Sequence, residues 1–318
     1  MGEGLAGWGG CSTGNAPALS YAPGRLASHR SREGDRIRTL VHLSDVHFGR
    51  TDDTVVERLI HSIHQIKPDV VAVSGDLTQR ATPREFERAR AFLRALPTPQ
   101  IVVPGNHDVP LYNIYARFRR AFDAYKQYVT DNLEPFYLDD EIAIAGVNTA
   151  RRLIIKGGRI NDRQMLRVEE QLRGLPDRIK KIVVTHHPFD LPPGYEPGEL
   201  AGRSGRAMAR FLLCGLDLLL AGHLHVSSCG PTAVRFGSGS RSAVFVQAGT
   251  ACSTRGRGEP NSYNVIRLDN SSMEIHTLSL AMGGFEPFPV QRFDQSPNGW
   301  VRTGERTRLG DQDGVGQR

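Results

Sequence analysis

The five residues Pro104-Gly105-Asn106-His107-Asp108 constrain this chain more tightly than any other stretch. A Pro-Gly pair breaks the backbone directly after the apolar run Ile101-Val102-Val103, and three side chains able to bind metal or phosphate follow without a gap. That order reads as a β-strand delivering chemistry at its carboxyl end, where ligands bind in open α/β sheets. A surface turn draws on the same residue types. Repetition argues against the turn: apolar runs ending in Asp, His or both recur along the chain.

Residues 37–43 predict a strand ending in Ser44-Asp45-Val46-His47, whose alternate residues Asp45 and His47 point the same way. Thr54-x-x-Glu57 reads as a capping box opening an amphipathic helix, with His61 and His64 on its solvated side. A second strand, 69–73, ends in Ser74-Gly75-Asp76, and Thr82-Pro83-Arg84-Glu85 starts a second helix. After the third strand, 100–103, a long helix is expected over 111–129, with Tyr115, Phe118, Phe122 and Tyr125 in the core. A strand over 142–147 and a helix capped by Asn161 and Gln164 follow. Residues 181–184 lead into Thr185-His186-His187-Pro188; of two adjacent histidines on extended backbone, at most one faces a site. Residues 216–221 end in Gly222-His223-Leu224-His225. Three more strands, 244–248, 263–268 and 273–280, lack intervening helices and predict a second sheet or an antiparallel extension.

The whole chain, 318 residues with 39% hydrophobic and 23% charged, has room for a sizeable core. Its +6 charge and pI near 9.3 favour an anionic substrate and leave nucleic acid open as a partner. Cys11, Cys214, Cys229 and Cys252 show no C-x-x-C spacing and read as free thiols in a reducing, cytoplasmic setting. No apolar run approaches the ~20 residues of a membrane span. Residues 1–36 and 287–318 lack hydrophobic periodicity and are expected to be disordered tails around one domain, 37–286.

Strand ends thus present Asp45, His47, Asp76, Asn106, His107, His186, His223 and His225, an oxygen and nitrogen set suited to Mn, Fe or Zn. They exceed what one four-coordinate ion takes, and a carboxylate at Asp76 can bridge, which implies two metals roughly 3.5 to 4 Å apart. The ordered motifs D-x-H, G-D, G-N-H-D, H and G-H-x-H resemble the signature of the calcineurin-like metallophosphoesterase superfamily. The resemblance spans about residues 37–280 and implies a four-layer α/β/β/α sandwich with mixed sheets. It also implies that one metal takes Asp45, His47, Asp76 and His225, and the other Asp76, Asn106, His186 and His223.

By the same resemblance the chain is a metal-dependent phosphoric ester hydrolase. Paired cations there would lower the pKa of a bound water toward neutrality and so supply hydroxide for in-line attack on phosphorus. His107 is then a catalytic residue over the phosphate, and Asp108, also a catalytic candidate, supports it. The protein phosphatase motif G-D-x-V-D-R-G is absent, since Gly75-Asp76 continues Leu77-Thr78-Gln79-Arg80-Ala81. The pattern is nearer the class III cyclic-nucleotide phosphodiesterase branch, which implies a cyclic nucleotide or similar small diester as substrate. Arg255 and Arg257, in a Gly-rich loop after a strand, are candidates to bind the substrate phosphate. Two alternatives remain open: an enzyme acting on nucleic acid or a nucleotide-lipid, and a non-catalytic scaffold of the same fold. Sequence does not fix the oligomeric state.

Overall fold

Residues 37–111, 114–232, 235, 241–255 and 258–306 are described by the structure, a computed structural model. Runs rich in Val, Ile and Leu form strands buried on both faces, as parallel strands covered by helices must be. β1 (Arg38–Leu43), β2 (Val70–Val73) and β3 (Gln100–Val102) lie parallel in one sheet. A second sheet takes β4 (Phe136–Leu138), β5 (Ile142–Val147), β6 (Lys180–Thr185), β7 (Leu218–Ala221), β8 (Ser228–Pro231) and β9 (Val244–Gln247). Its order is β4-β5-β6-β7-β9-β8. The chain then returns to the first sheet through β10 (Ser262–Leu268), β11 (Ser272–Ala281), β12 (Gly284–Pro287), β13 (Val290–Ser296) and β14 (Gly299–Arg306). That sheet runs β14-β13-β11-β10-β1-β2-β3, with β12 paired to β11. The late strands therefore divide: β9 joins the second sheet in parallel, whereas β10 and β11 extend the first antiparallel.

Strand alternation sorts the apolar side chains into three core layers. Between the sheets, Leu40, Val70 and Ala72 share a cluster with Ile182, Val184, Leu218 and Leu220. On the outer face of the first sheet, Val41, Leu43, Val71 and Val73 meet α1 (Asp53–Ile66) and α2 (Pro83–Ala95) through Leu59, Ile63, Phe86 and Ala89. Two short helices, α3 (Ile114–Arg119) and α4 (Asp123–Tyr128), follow β3. On the outer face of the second sheet, α5 (Asp162–Leu172) and α6 (Ser204–Leu213) bury Met165, Val168, Met208 and Phe211 against Ala143, Val183 and Leu219. The result is the four-layer α/β/β/α sandwich.

The structure corrects three local expectations. α1 is capped by Asp52, whose side chain accepts from Thr54 N, so Thr54 is not the cap. The long helix expected over 111–129 is two short ones. Arg117, not an aromatic, takes the inward position there, and its guanidinium donates to the carbonyls of Pro110, Arg151 and Ile154. Of the aromatics assigned to the core, only Tyr125 is fully buried, while Tyr115 and Phe118 face solvent.

The third correction is the C-terminal boundary. Residues 287–306, expected to be part of a loose tail, hold β13 and β14, and Phe293 and Trp300 are fully buried between the sheets. Trp300 Nε1 donates to Asp217 Oδ1 at 3.0 Å. These outer strands contribute so few apolar residues that no periodicity registers in the sequence. Residues 1–36 and 307–318 lie outside the described residues. Trp300→Ala is expected to destabilise the protein by about 3 to 5 kcal/mol, read as a lower urea midpoint at unchanged slope. A loose tail would show no shift.

Candidate metal centre

The carboxyl ends of β1, β2 and β3 in one sheet and of β6 and β7 in the other open onto one rim. Asp45 and His47 follow β1, Asp76 follows β2, Asn106 and His107 follow β3, His186 follows β6, and His223 and His225 follow β7. Eight non-glycine residues among those described have left-handed backbone, and Asp45, His47, Asp76, His223 and His225 are five of them. Left-handed geometry costs a side-chain-bearing residue about 1 to 2 kcal/mol. Its concentration at these positions means that side-chain direction outweighs backbone comfort there. Close approach demands glycine beside them: a Cβ on Gly105 would lie 2.1 Å from Asp76 Oδ1, and one on Gly222 would lie 1.7 Å from Ser44 Oγ.

Asp45, His47, Asp76 and His225 bring one donor atom each to within 4.8 Å of one another. His225 Nε2 lies 3.1 Å from Asp45 Oδ1 and 3.2 Å from His47 Nε2. Asp76 divides its carboxylate, with Oδ2 3.7 Å from His47 Nε2 and Oδ1 3.4 Å from His186 Nε2. Asn106 Oδ1 is 3.1 Å from the same His186 nitrogen. His223 joins this second group through its ring, 5.2 Å from that of His186, and its backbone N–H donates to Asp45 Oδ2 at 2.9 Å.

Backbone carbonyls set the imidazole tautomers. His47 Nδ1 meets Thr78 O at 3.4 Å, His186 Nδ1 meets Ser74 O at 2.7 Å and His225 Nδ1 meets Arg255 O at 3.1 Å. A carbonyl only accepts, so each Nδ1 carries the proton and each Nε2 turns a lone pair into the centre. His47 and His225 then point lone pairs at each other across 3.2 Å, beside a buried Asp45 Oδ1 that accepts no hydrogen bond. Such a donor set fits a cation and is unfavourable without one. His187 is different: its Nε2 donates to Lys156 O at 3.2 Å and its Nδ1 accepts from Thr149 Oγ1 at 2.8 Å, leaving no free lone pair. His186, His187 and His223 bring one donor atom each to within 4.8 Å of one another, and within that group these hydrogen bonds favour His186 over His187 as a ligand.

Without a cation, the buried carboxylates and imidazoles stabilise each other's charge, so that a proton on the imidazoles takes the place a metal ion would fill. Burial opposes charge on Asp45 and Asp76, yet the facing imidazoles hold both carboxyls well below the usual range. Burial opposes charge on His186 too, but Asp76 and Asp45 lift it to about 9, while burial takes His223 down to about 4.

His107 stands outside these ligand groups. Its Nδ1 donates to Gln79 O at 2.8 Å, and its Nε2 accepts from Arg255 Nη1 at 2.8 Å. Arg255, picked out in the sequence as a phosphate binder, is therefore in contact with the site; Arg257 lies outside the described residues. Asp108 does not face the centre, which corrects its place among the catalytic candidates. Its buried carboxylate accepts from Leu77 N at 3.2 Å, Thr78 N at 2.9 Å and Gly105 N at 2.9 Å, tying the two ligand-bearing loops together. Burial, with the Asp76 charge nearby, pushes its carboxyl up to about 6. Sequence reasoning missed Ser74, Thr78 and Gln79. They act through backbone carbonyls, for which no residue letter is a signal.

Comparison with known proteins agrees. Over 167 residues the chain is 30% identical to a protein of Arcobacter nitrofigilis named a probable glycerophosphodiester phosphodiesterase, covering 50% of this chain and 57% of that one. The chain thus spans little more than half of that relative's length. A probable cyclic nucleotide phosphodiesterase of Synechococcus is 39% identical over 49 residues, 15% of this chain and 19% of the relative. Among solved structures, that of PhoD superposes with a TM-score of 0.67 at 11% identity, covering 91% of this chain and 74% of that one, and so shares the fold. The family model for calcineurin-like phosphoesterases matches residues 38–227, more than half of the chain. The chain belongs to the calcineurin-like phosphoesterase family.

Proposed function

We propose that the chain is a metal-dependent phosphodiesterase with a two-cation centre, acting on a small diester. The observation that carries this reading is the divided carboxylate of Asp76, one oxygen toward His47 and the other toward His186. Asp45, His47, Asp76 and His225 would hold one cation, and Asp76, Asn106, His186 and His223 the other. The absence of sulfur from the donor set favours Mn, Fe or Zn. When bound, the pair supplies Lewis-acid activation of water and neutralises phosphate charge.

The chain's own groups do the rest. Arg255 meets a non-bridging phosphate oxygen, and His107, released from Arg255, faces the leaving oxygen. Asp108 fixes the loops that carry Asp76 and Asn106. Relatives named for glycerophosphodiesters and for cyclic nucleotides support a diester over a monoester. Cys214 and Cys252 are buried free thiols, which suits a reducing setting such as the cytoplasm. No helix among the described residues is long and apolar enough to cross a membrane.

The test is a Mn-supplemented panel comparing a cyclic nucleotide, a glycerophosphodiester, an aryl phosphodiester and an aryl phosphomonoester. At least one diester is expected to exceed the monoester in kcat/KM by about tenfold or more, a difference of about 1.4 kcal/mol in the barrier, and chelation should abolish turnover. A monoester preference would move the chain to another branch of the family. Full activity after chelation would end the metal reading.

A further inference from the structure

Beside the metal centre, two adjoining segments expose apolar side chains. Tyr115 and Phe118 of α3 are 68% and 44% exposed, and Leu153 and Ile155, after β5, are 69% and 55% exposed. Single exposed apolar residues are ordinary, but four on two neighbouring segments form a feature that needs an account. Arg117 ties the segments together from beneath, donating to Arg151 O and Ile154 O, and Arg152 Nη1 donates to Phe118 O at 3.3 Å. The same rim adjoins the centre, because Lys156 O holds His187, whose ring lies 4.8 Å from that of His186 and 4.6 Å from that of His223.

Charge on this rim is predominantly positive. Arg119, Arg120, Arg152 and Lys156 are exposed, and neither 109–122 nor 149–161 contains an Asp or Glu. Of the acids that bound these segments, Asp108 is buried and Asp162 pairs with Arg203 and Arg206, while Asp123 shares a cavity with Arg119, Lys126 and Arg152, which outnumber it. Aliphatic side chains set between basic ones, as in Arg152-Leu153-Ile154-Ile155-Lys156, suit the boundary of an anionic bilayer. There, apolar groups reach the acyl region while Lys and Arg meet headgroup phosphates. Nucleic acid would be gripped by stacking rings, which Tyr115 and Phe118 offer, but Leu153 and Ile155 on the same rim have no such use and suit acyl chains. A self-paired contact would set like charges against each other.

We propose that this rim docks on an anionic lipid surface. The docking is independent of the hydrolase reading and is measured without turnover. Full-length protein would be sedimented with vesicles of phosphatidylcholine alone and with vesicles also containing phosphatidylglycerol. Binding to the anionic vesicles is expected, with little to the neutral ones and a steep loss in salt. Leu153→Ser with Ile155→Ser should weaken it about tenfold, and Arg152→Gln or Lys156→Gln about fivefold each, all with unchanged circular dichroism. Asp76→Asn protein should bind like the parent, which separates docking from capture of a headgroup at the metal centre. The proposal is overturned if the parent ignores anionic vesicles, if the Leu153 and Ile155 variant binds undiminished, or if Asp76→Asn removes binding. It is also overturned if the rim serves instead to bind single-stranded RNA, or to hold a dimer that the Leu153 and Ile155 variant dissociates.

Discussion

Asp76→Asn is expected to cut diester turnover by about a thousandfold or more, because the two proposed cations would lose a shared anionic ligand and with it several kcal/mol of transition-state stabilisation. The substitution is nearly isosteric. The hydrogen bond that Oδ1 accepts from His107 N at 2.8 Å can survive on the Asn oxygen, so the loop that carries Asn106 and His107 has no reason to move. What changes is charge. In the parent, Asp76 stays ionised although it is fully buried, because His186, His47 and His107 face it. The facing imidazoles more than offset the desolvation of that charge, so near neutral pH the metal-free variant should melt somewhat below the metal-free parent. The larger difference should emerge with metal. The parent gains thermal stability as Mn is added, in proportion to the logarithm of its concentration over the dissociation constant, and the variant loses most of that gain. Elemental analysis after dialysis gives the second reading. Depletion at both positions supports a shared carboxylate, and a variant that keeps both equivalents contradicts it.

The parts of this site legible in the sequence are those whose chemistry resides in a side chain. Asp45, Asp76, Asn106 and His223 could be placed at one rim because each follows an apolar run long enough to be a strand, and strand ends in an α/β sheet converge. The choice of His186 over His187 has a physical basis that no letter carries: one nitrogen of His187 is spent on Lys156 O and the other on Thr149 Oγ1. Equally silent are the carbonyls of Ser74, Thr78 and Arg255 that set the tautomers, since every residue has a carbonyl and only the fold decides where it points.

Elsewhere, periodicity misled. Between 111 and 129 the aromatic spacing describes an amphipathic helix well, yet the buried guanidinium of Arg117 satisfies three loop carbonyls and turns Tyr115 and Phe118 outward. In 287–306 the reverse holds, where Phe293 and Trp300 anchor strands whose remaining residues are too polar to register as a pattern.

His107→Ala is expected to leave the metal content unchanged while lowering kcat by about two to four orders of magnitude, the usual worth of a positioned proton donor. The ring is outside the ligand groups, packed edge-on against His47 at a centroid distance of 5.0 Å. Its Nδ1 is committed to Gln79 O, which leaves Nε2 as the only nitrogen able to serve a substrate. In the structure Nε2 accepts from Arg255, and burial, with other contributions that include Arg255, lowers the pKa of the ring, so His107 is held neutral. A phosphate drawing Arg255 away would both release Nε2 and place an anion beside it, raising its affinity for a proton, so that Nε2 takes one from solvent as substrate binds and passes it to the leaving oxygen. The loss in His107→Ala should therefore be severe for a diester with a poor alkyl leaving group and much smaller for one with an aryl group that departs without a proton. Arg255→Gln should instead act chiefly on KM, with little dependence on the leaving group. Equal losses for alkyl and aryl diesters in His107→Ala would remove proton donation from its role, since a merely structural contribution does not distinguish leaving groups.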